Sequence, residues 1–327
     1  DRCYEDPKFQ LGTAITTNTV PDCNGKTKAQ GNGLYMVQVG QEQVDSTSAT
    51  NPDASNESSF DTTIGNGDLL WWTSSDNNGA GNANFTEVTD MNHSIVTEVR
   101  ALDRNYDGLT DQVVFADLGG RVWRVDINSA EDASNFKVER VAKILDLSAS
   151  GTNAASAGTD ALPRIYEKPL VTFTRIGENP GIVGLLTVGT GDRSSPVRAQ
   201  REVADRIYTF IDRDIARSDL FCYDVQDTPD NECADVTTTL KQATAVTPAN
   251  LVPLTTDASG EFSNDATIKT QMDAYTKLGW YMPLTMWSET NATGTQTIST
   301  NNRGLKMFNQ PDAIAGLLFT TVYNPNV

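Results

Sequence analysis

Ten short runs of β-branched and aromatic residues, each ended by Gly, Asn, Asp or Ser, limit what this chain can fold into. "GLYMVQV" (33–39), "DLLWWT" (68–73), "SIVTEVRAL" (94–102), "QVVFADL" (112–118) and "RVWRVDI" (121–127) carry the pattern in the first half. "KPLVTFTRI" (168–176), "GIVGLLTVG" (181–189), "DRIYTFID" (205–212), "LGWYMPLTMW" (278–287) and "AGLLFTTVY" (315–323) carry it in the second. Runs of this length and composition read as strands. The Gly119–Gly120 pair predicts a tight hairpin between the fourth and fifth runs. One helix is predicted, over 264–279, with Ile268, Met272 and Tyr275 on one face and Gly279 just past its end. Polar stretches at 40–66, 74–90, 148–161 and 288–301 read as exposed loop insertions. The fold class is therefore all-β: a sandwich, a barrel or a propeller. An aromatic strand followed by Asp recurs in "LWWTSSD", "VWRVD" and "IYTFID", which favours the propeller.

Charge narrows the partners. Asp and Glu number 43 against 25 Lys and Arg, for a net charge of −18. Such a surface repels nucleic acid and anionic lipid, so neither is expected as a partner, and it attracts cations. No apolar run is long enough for a transmembrane segment. The opening residues "DRCYEDPKF" are not a signal peptide, which is consistent with a processed chain or a fragment. Cys3 and Cys23 form one pair close in sequence, and Cys222 and Cys233 another, each spanning a polar, turn-rich interval. Neither pair has metal-site spacing, and His93 is the single histidine. Two local disulfides in an oxidising compartment are expected, rather than four free thiols.

The densest chemistry lies at 103–111, D-R-N-Y-D-G-L-T-D. Like-charged side chains crowded into one short loop repel each other unless a cation sits among them. Oxygen side chains stand at loop positions 1, 3, 5 and 9, with Gly108 at position 6, the spacing of an EF-hand loop. The expected ligands are Asp103, Asn105, Asp107, the backbone carbonyl of Leu109, and Asp111. A set of hard oxygens selects Ca²⁺ ahead of Mg²⁺. Position 12, where an EF-hand places a bidentate Glu, is Val114, and the flanks read as strands. The expectation is a calcium loop carried on a β-hairpin at 94–127.

The sequence around that loop, "MNHSIVTEVRALDRNYDGLTDQVVFADLGGRVWRVDI", resembles the PilY/PilC-type adhesins of type IV pilus tips. "GNGLYMVQVG", "GDLLWWTSSD", "LLTVGTGDRSSPV", "DRIYTFIDRD", "LGWYMPL" and "GLKMFNQPDAIAGLLFTTVYNP" are similar to segments of that family in the same order. The resemblance implies a modified, quinoprotein-like β-propeller with long polar loop insertions, over 33–327. Residues 1–32 then form a separate, disulfide-linked N-terminal segment. It also implies the same five ligands, a role for the calcium loop in pilus extension and retraction, and attachment to a host or abiotic surface. Minor pilins at the tip would be partners, and the location would be extracellular, reached through the periplasm. The family's N-terminal adhesive part is not expected within these residues.

Other constellations are weaker. His93 stands beside a strand start without a nucleophile pattern, which reads as structural. Asp212 and Asp214 in "DRDIARSD" read as an exposed, Arg-neutralised turn. "GTGDRSS" lacks the P-loop lysine. Trp71, Trp72, Trp123, Trp280 and Trp287 read as blade core. Asn56, Asn84, Asn92 and Asn291 form glycosylation sequons, relevant only in a glycosylating host. Two alternatives remain: a periplasmic quinoprotein dehydrogenase, or a non-catalytic propeller scaffold. The dehydrogenase reading expects adjacent cysteines at a quinone, which this chain lacks. No enzyme activity is expected.

Overall fold

The computed structural model describes residues 31–37, 67, 69–76, 79–104, 110–128, 137–148, 163–176, 181–193, 196, 204–217, 220, 240–255, 264–285, 287–290, 296–299, 304–314 and 316–325. All four cysteines, together with Asn105, Asp107 and Leu109, lie outside them.

The described chain is all-β apart from one helix and a short 3₁₀ turn. A first sheet pairs β1 (Gly33–Val37) antiparallel with β2 (Leu69–Ser74), and β3 (Phe85–Glu87) runs parallel to β2. The second is an antiparallel meander of β4 (Arg100–Leu102), β5 (Gln112–Ala116), β6 (Arg121–Asn128) and β7 (Lys137–Asp146). The third contains β8 (Leu170–Arg175), β9 (Ile182–Gly189), β10 (Arg206–Asp212), β11 (Val252–Pro253) and β12 (Gly279–Pro283), in the order β11-β12-β10-β9-β8. Helix α1 (Asp265–Asp273) precedes β12. Three two-stranded ladders follow: β13 (Trp287–Thr290) with β14 (Gln296–Ser299), β15 (Lys306–Met307) with β18 (Val322–Tyr323), and β16 (Asp312–Ile314) with β17 (Leu317–Phe319).

Alternation along the strands explains how the sheets stack. All five residues of β5 are buried, so both faces of the second sheet are covered. Val113 and Phe115, with Trp123, Val125 and Ile127 of β6, pack on Trp71 and Met91. The intervening Val114, Ala116 and Val122 pack on Leu186, Val188, Tyr208 and Phe210 of the third sheet. The far face of the third sheet buries Ile207 against Leu305 and Met307. On the same face Ile211 joins Ile176 and Val183 under Met272 and Tyr275 at the helix end. Successive sheets thus cover one another face to face in chain order. Each buried Val, Leu, Ile or Phe side chain stabilises this stack by about 1.5–3 kcal/mol.

The β5–β6 turn has the predicted Gly-Gly hairpin. Gly120 takes φ +77°, and a side chain there would run into Pro163 as well as strain the backbone. Several expectations need correction. The helix is shorter than 264–279 and ends in a Schellman motif at Tyr275, whose φ is 52°. The amide of Thr276 donates to Gln271 O (3.0 Å) and that of Tyr275 to Met272 O (2.9 Å). Gly279 is no helix cap; it begins β12 with φ +144°, where a Cβ would lie 2.1 Å from Thr209 O. Of 94–102 only Arg100–Leu102 is strand, and 315–323 breaks into β17 and β18. The stretches 74–90 and 288–301 are not wholly loop, since β3 and the β13–β14 ladder fall within them. Trp72 meets Phe85 of β3 at 5.3 Å between ring centres, which anchors that strand.

Strand β7 has no counterpart among the ten runs. Its apolar residues Val138, Val141, Ala142 and Leu145 fall at the spacing of a helix face, with Ile144 apolar as well. Two bulges in the β6–β7 ladder account for this. Asp126 pairs with Arg140 while Ile127 pairs with Val138, and Trp123 pairs with Lys143 while Val122 pairs with Leu145. Glu139 and Ile144 therefore have no opposite residue in the ladder, and each bulge shifts the alternation by one position.

Candidate functional site

The predicted metal loop connects β4 to β5. Their ladder pairs Arg100 with Val114, Ala101 with Val113 and Leu102 with Gln112, so residues 103–111 close as one hairpin loop. Two of the five expected ligands, Asp103 and Asp111, are described, and they stand at the two ends of that loop. The other three, Asn105, Asp107 and Leu109, fall outside the described residues.

Asp111 is fixed on three sides. Its amide donates to Leu102 O at 2.9 Å, extending the ladder by one bond, and its carbonyl accepts from the Ile127 amide at 2.7 Å. Its carboxylate is buried, and Oδ2 accepts the Arg104 amide at 2.6 Å across the neck. A charge-assisted bond of this kind ties the two ends of the loop together. Asp103 is exposed on the opposite side of the neck. Among the described residues no third Asp, Glu, His or Cys side chain gathers with them. Acidic oxygens at both ends of a short, anchored loop fit a hard, oxygen-preferring cation.

Below the loop lies a buried polar network whose partners are far apart in the sequence. The Gln112 side chain donates from Nε2 to Asp126 Oδ1 (2.8 Å). Asp126 also accepts from Arg124, Nε to Oδ1 at 2.8 Å and Nη2 to Oδ2 at 3.3 Å. The third guanidinium nitrogen, Nη1, donates to Asp212 Oδ2 of the next sheet. Arg124 is 1% exposed, Asp126 0% and Asp212 1%. Burial works against the charge on Arg124, but Asp212 and Asp126 outweigh it and hold the guanidinium more firmly protonated than usual.

Asp212 and Asp214 are therefore not an exposed turn; each is about as buried as Arg124. Asp212 Oδ1 accepts the amides of Asp214 (2.9 Å) and Ile215 (3.2 Å). Asp214 accepts the Lys241 and Gln242 amides and Arg217 Nη1, each at 2.8 Å. Burial pushes the Asp214 carboxyl up, but these donors and Arg124 more than offset it, so its pKa is lowered. The signal in the sequence is the strand-then-Asp echo, because Asp126 and Asp212 end two of the three echo segments and meet at Arg124. The charge pattern implies the Arg neutralisation of this pair but not its burial.

The turn after β5 holds a second buried pair of titratable groups. Asp117 accepts the amides of Gly119 (2.9 Å) and Arg121 (3.1 Å) and Trp123 Nε1 (2.9 Å). Burial pushes it up to about 6 in spite of those donors. His93 lies flat against Gly119, where a Cβ would meet its ring at 2.2 Å. Burial, then the positive charge of Arg121, lowers it to about 3. Trp71 and Trp123 are core, as expected, while Trp72 and Trp280 are half-buried.

No family model matches the chain, and no curated protein matches it. Among solved structures it is similar to the crystal structure of the Pseudomonas aeruginosa PilY1 C-terminal domain, at 19% identity with a TM-score of 0.38. That similarity covers 70% of this chain and 44% of the other, so the chain spans less than half of that domain's length. Among the described residues no helix is long and apolar enough to cross a membrane.

Proposed function

We propose that this chain is a calcium-binding β-propeller domain of a type IV pilus tip adhesin and biogenesis factor, of the PilY/PilC type. One observation carries the reading: the D-x-N-x-D-G-L-x-D series sits on a hairpin whose register sets Asp103 and Asp111 at the two ends of a single loop. Asp103, Asn105, Asp107, the Leu109 carbonyl and Asp111 would hold Ca²⁺, which neutralises like charges and orders the loop. The propeller is supported by the antiparallel meander of the second sheet and by face-to-face stacking of successive sheets.

On this reading the domain is not an enzyme. It regulates pilus extension and retraction and contributes to surface attachment, with minor pilins and a host or abiotic surface as partners. Residues 33–327 belong to the propeller and 1–32 to a separate segment. Disulfides Cys3–Cys23 and Cys222–Cys233 suit passage through the periplasm to the cell surface. The test replaces the chromosomal copy with Asp103→Ala and measures surface piliation and twitching motility. A change in either is expected; unchanged values in both defeat the regulatory role.

A further inference from the structure

The outer face of the first sheet carries a row of aromatic side chains open to solvent. Leu34 and Met36 of β1 turn inward onto the core with Trp71, so Tyr35 and Trp72 between them point the other way. The register sets Tyr35 opposite Trp72 and Trp72 opposite Phe85, which lines up one aromatic residue from each of the three strands. Tyr35 is 61% exposed, and Trp72 and Phe85 are half-buried. The rings are held in place by their surroundings. Gly79 lies against the Phe85 ring, where a Cβ would come within 2.2 Å, and Trp72 meets that ring from its other neighbour strand. Tyr35 leans over Gly33, where a Cβ would lie 3.1 Å from its ring.

An acid stands on the same face. Glu87 pairs with Ser74 two positions beyond the Trp72–Phe85 pair, so it shares a side of β3 with Phe85, about 7 Å along the strand. Glu87 is exposed and has no ion-pair or hydrogen-bond partner among the described residues. The face of an aromatic ring is electron-rich and attracts a cation placed over it, and a carboxylate within side-chain reach adds a second attraction. The net charge of −18 draws a partner of the same sign to the molecule as a whole. Among biological cations a guanidinium matches this pair of features best. It is planar, stacks on rings and offers a fork of donors to a carboxylate, whereas an ammonium is a compact, strongly hydrated charge.

We propose that the outer face of the first sheet is a docking surface for an arginine side chain of a partner protein. The guanidinium stacks over the Tyr35–Trp72 row and donates toward Glu87. The reading is independent of calcium and of the pilus assignment.

Calorimetry on the whole chain tests it with two probes, acetyl-Arg-Gly-Arg-Gly-Arg-amide and the same peptide with citrulline, the neutral isostere, in place of arginine. Salt is kept at about 150 mM, where exposed charges more than about 8 Å apart are largely screened. The arginine peptide should bind about tenfold tighter than the citrulline peptide. Tyr35→Ser and Glu87→Gln should each weaken its binding by about threefold or more. Both change exposed side chains, and unchanged thermal midpoints would show that the fold is kept. Asp265→Asn removes an exposed acid from the first turn of α1, on the far side of the stack, and should bind as the parent does. Equal binding of the two peptides overturns the proposal, as does unchanged binding in either sheet variant. A loss in Asp265→Asn as large as in Glu87→Gln also overturns it, because the attraction would then be to the overall charge. So does the absence of arginine-peptide binding up to about 10 mM.

Discussion

His93 and Asp117 meet the same turn, and burial shifts their titration in opposite directions. Burial favours the neutral form of each, lowering the histidine to about 3 and raising the aspartate to about 6. For His93 the folded pKa is depressed below the unfolded value of about 6.5. Its contribution to stability is complete above that value and is lost as pH falls toward 3. For Asp117 the folded pKa is raised, so its contribution is complete below about 3.9 and is lost as pH rises through 6. The two partly cancel between pH 4 and 6. With one histidine in the sequence, a single ring Hε1 signal is expected by NMR. It should show no protonation midpoint between pH 8 and 5 in the folded protein, whereas a midpoint near 6.5 would contradict the burial described here. The sequence is sufficient to read His93 as structural, because no nucleophile pattern accompanies it. It does not show that Asp117 is buried, since "DLGG" has the same appearance at an exposed hairpin.

At the scale of elements, glycine marks where one strand must approach another closely. Gly279 begins β12 against β10, with φ +144° and no room for a Cβ beside Thr209 O. Gly279→Ala should cost about 2–5 kcal/mol, from backbone strain and overpacking together, read as a fall in thermal midpoint. A loss below about 0.5 kcal/mol would show that β12 does not pack as described. By contrast Gly181→Ala meets nothing within 4 Å and should be nearly silent. Strands rich in β-branched and aromatic residues, such as β5 and β10, are legible from residue pattern alone. Strand β7 is not, because two bulges give its apolar residues a helix-like spacing. The helix boundary is misread for a related reason: the left-handed cap falls on Tyr275, and Gly279, which looks like the cap, serves the next strand.

At the scale of the whole molecule, hydrophobic stacking holds the sheets together, and among the described residues a buried ion pair crosses between two of them. Arg124 of the second sheet reaches Asp212 of the third with almost no access to water. Removing Asp212 leaves Arg124 with Asp126 alone and the Asp214 and Ile215 amides without their acceptor, so Asp212→Ala should destabilise by about 3–5 kcal/mol in chemical denaturation. A cost under about 1 kcal/mol would mean that water reaches the network. The sequence hides this network because the partners lie 88 residues apart, and alternation reveals which face a residue takes but not what it meets. The metal loop is the reverse case: its expected ligands are contiguous, so spacing alone can propose them, and the hairpin register then sets its ends. Calcium calorimetry on the chain and three of its variants tests the central claim most directly. The parent should bind one Ca²⁺ with a dissociation constant of about 10⁻⁶–10⁻³ M, as suits a loop without a bidentate Glu. Asp103→Ala and Asp111→Ala should abolish binding while the core still folds, and Thr110→Ala should bind as the parent does. Asp103 is exposed, which makes its variant the cleaner of the two. If Asp103→Ala binds calcium as tightly as the parent, the loop is an acidic turn and the calcium-dependent role is contradicted.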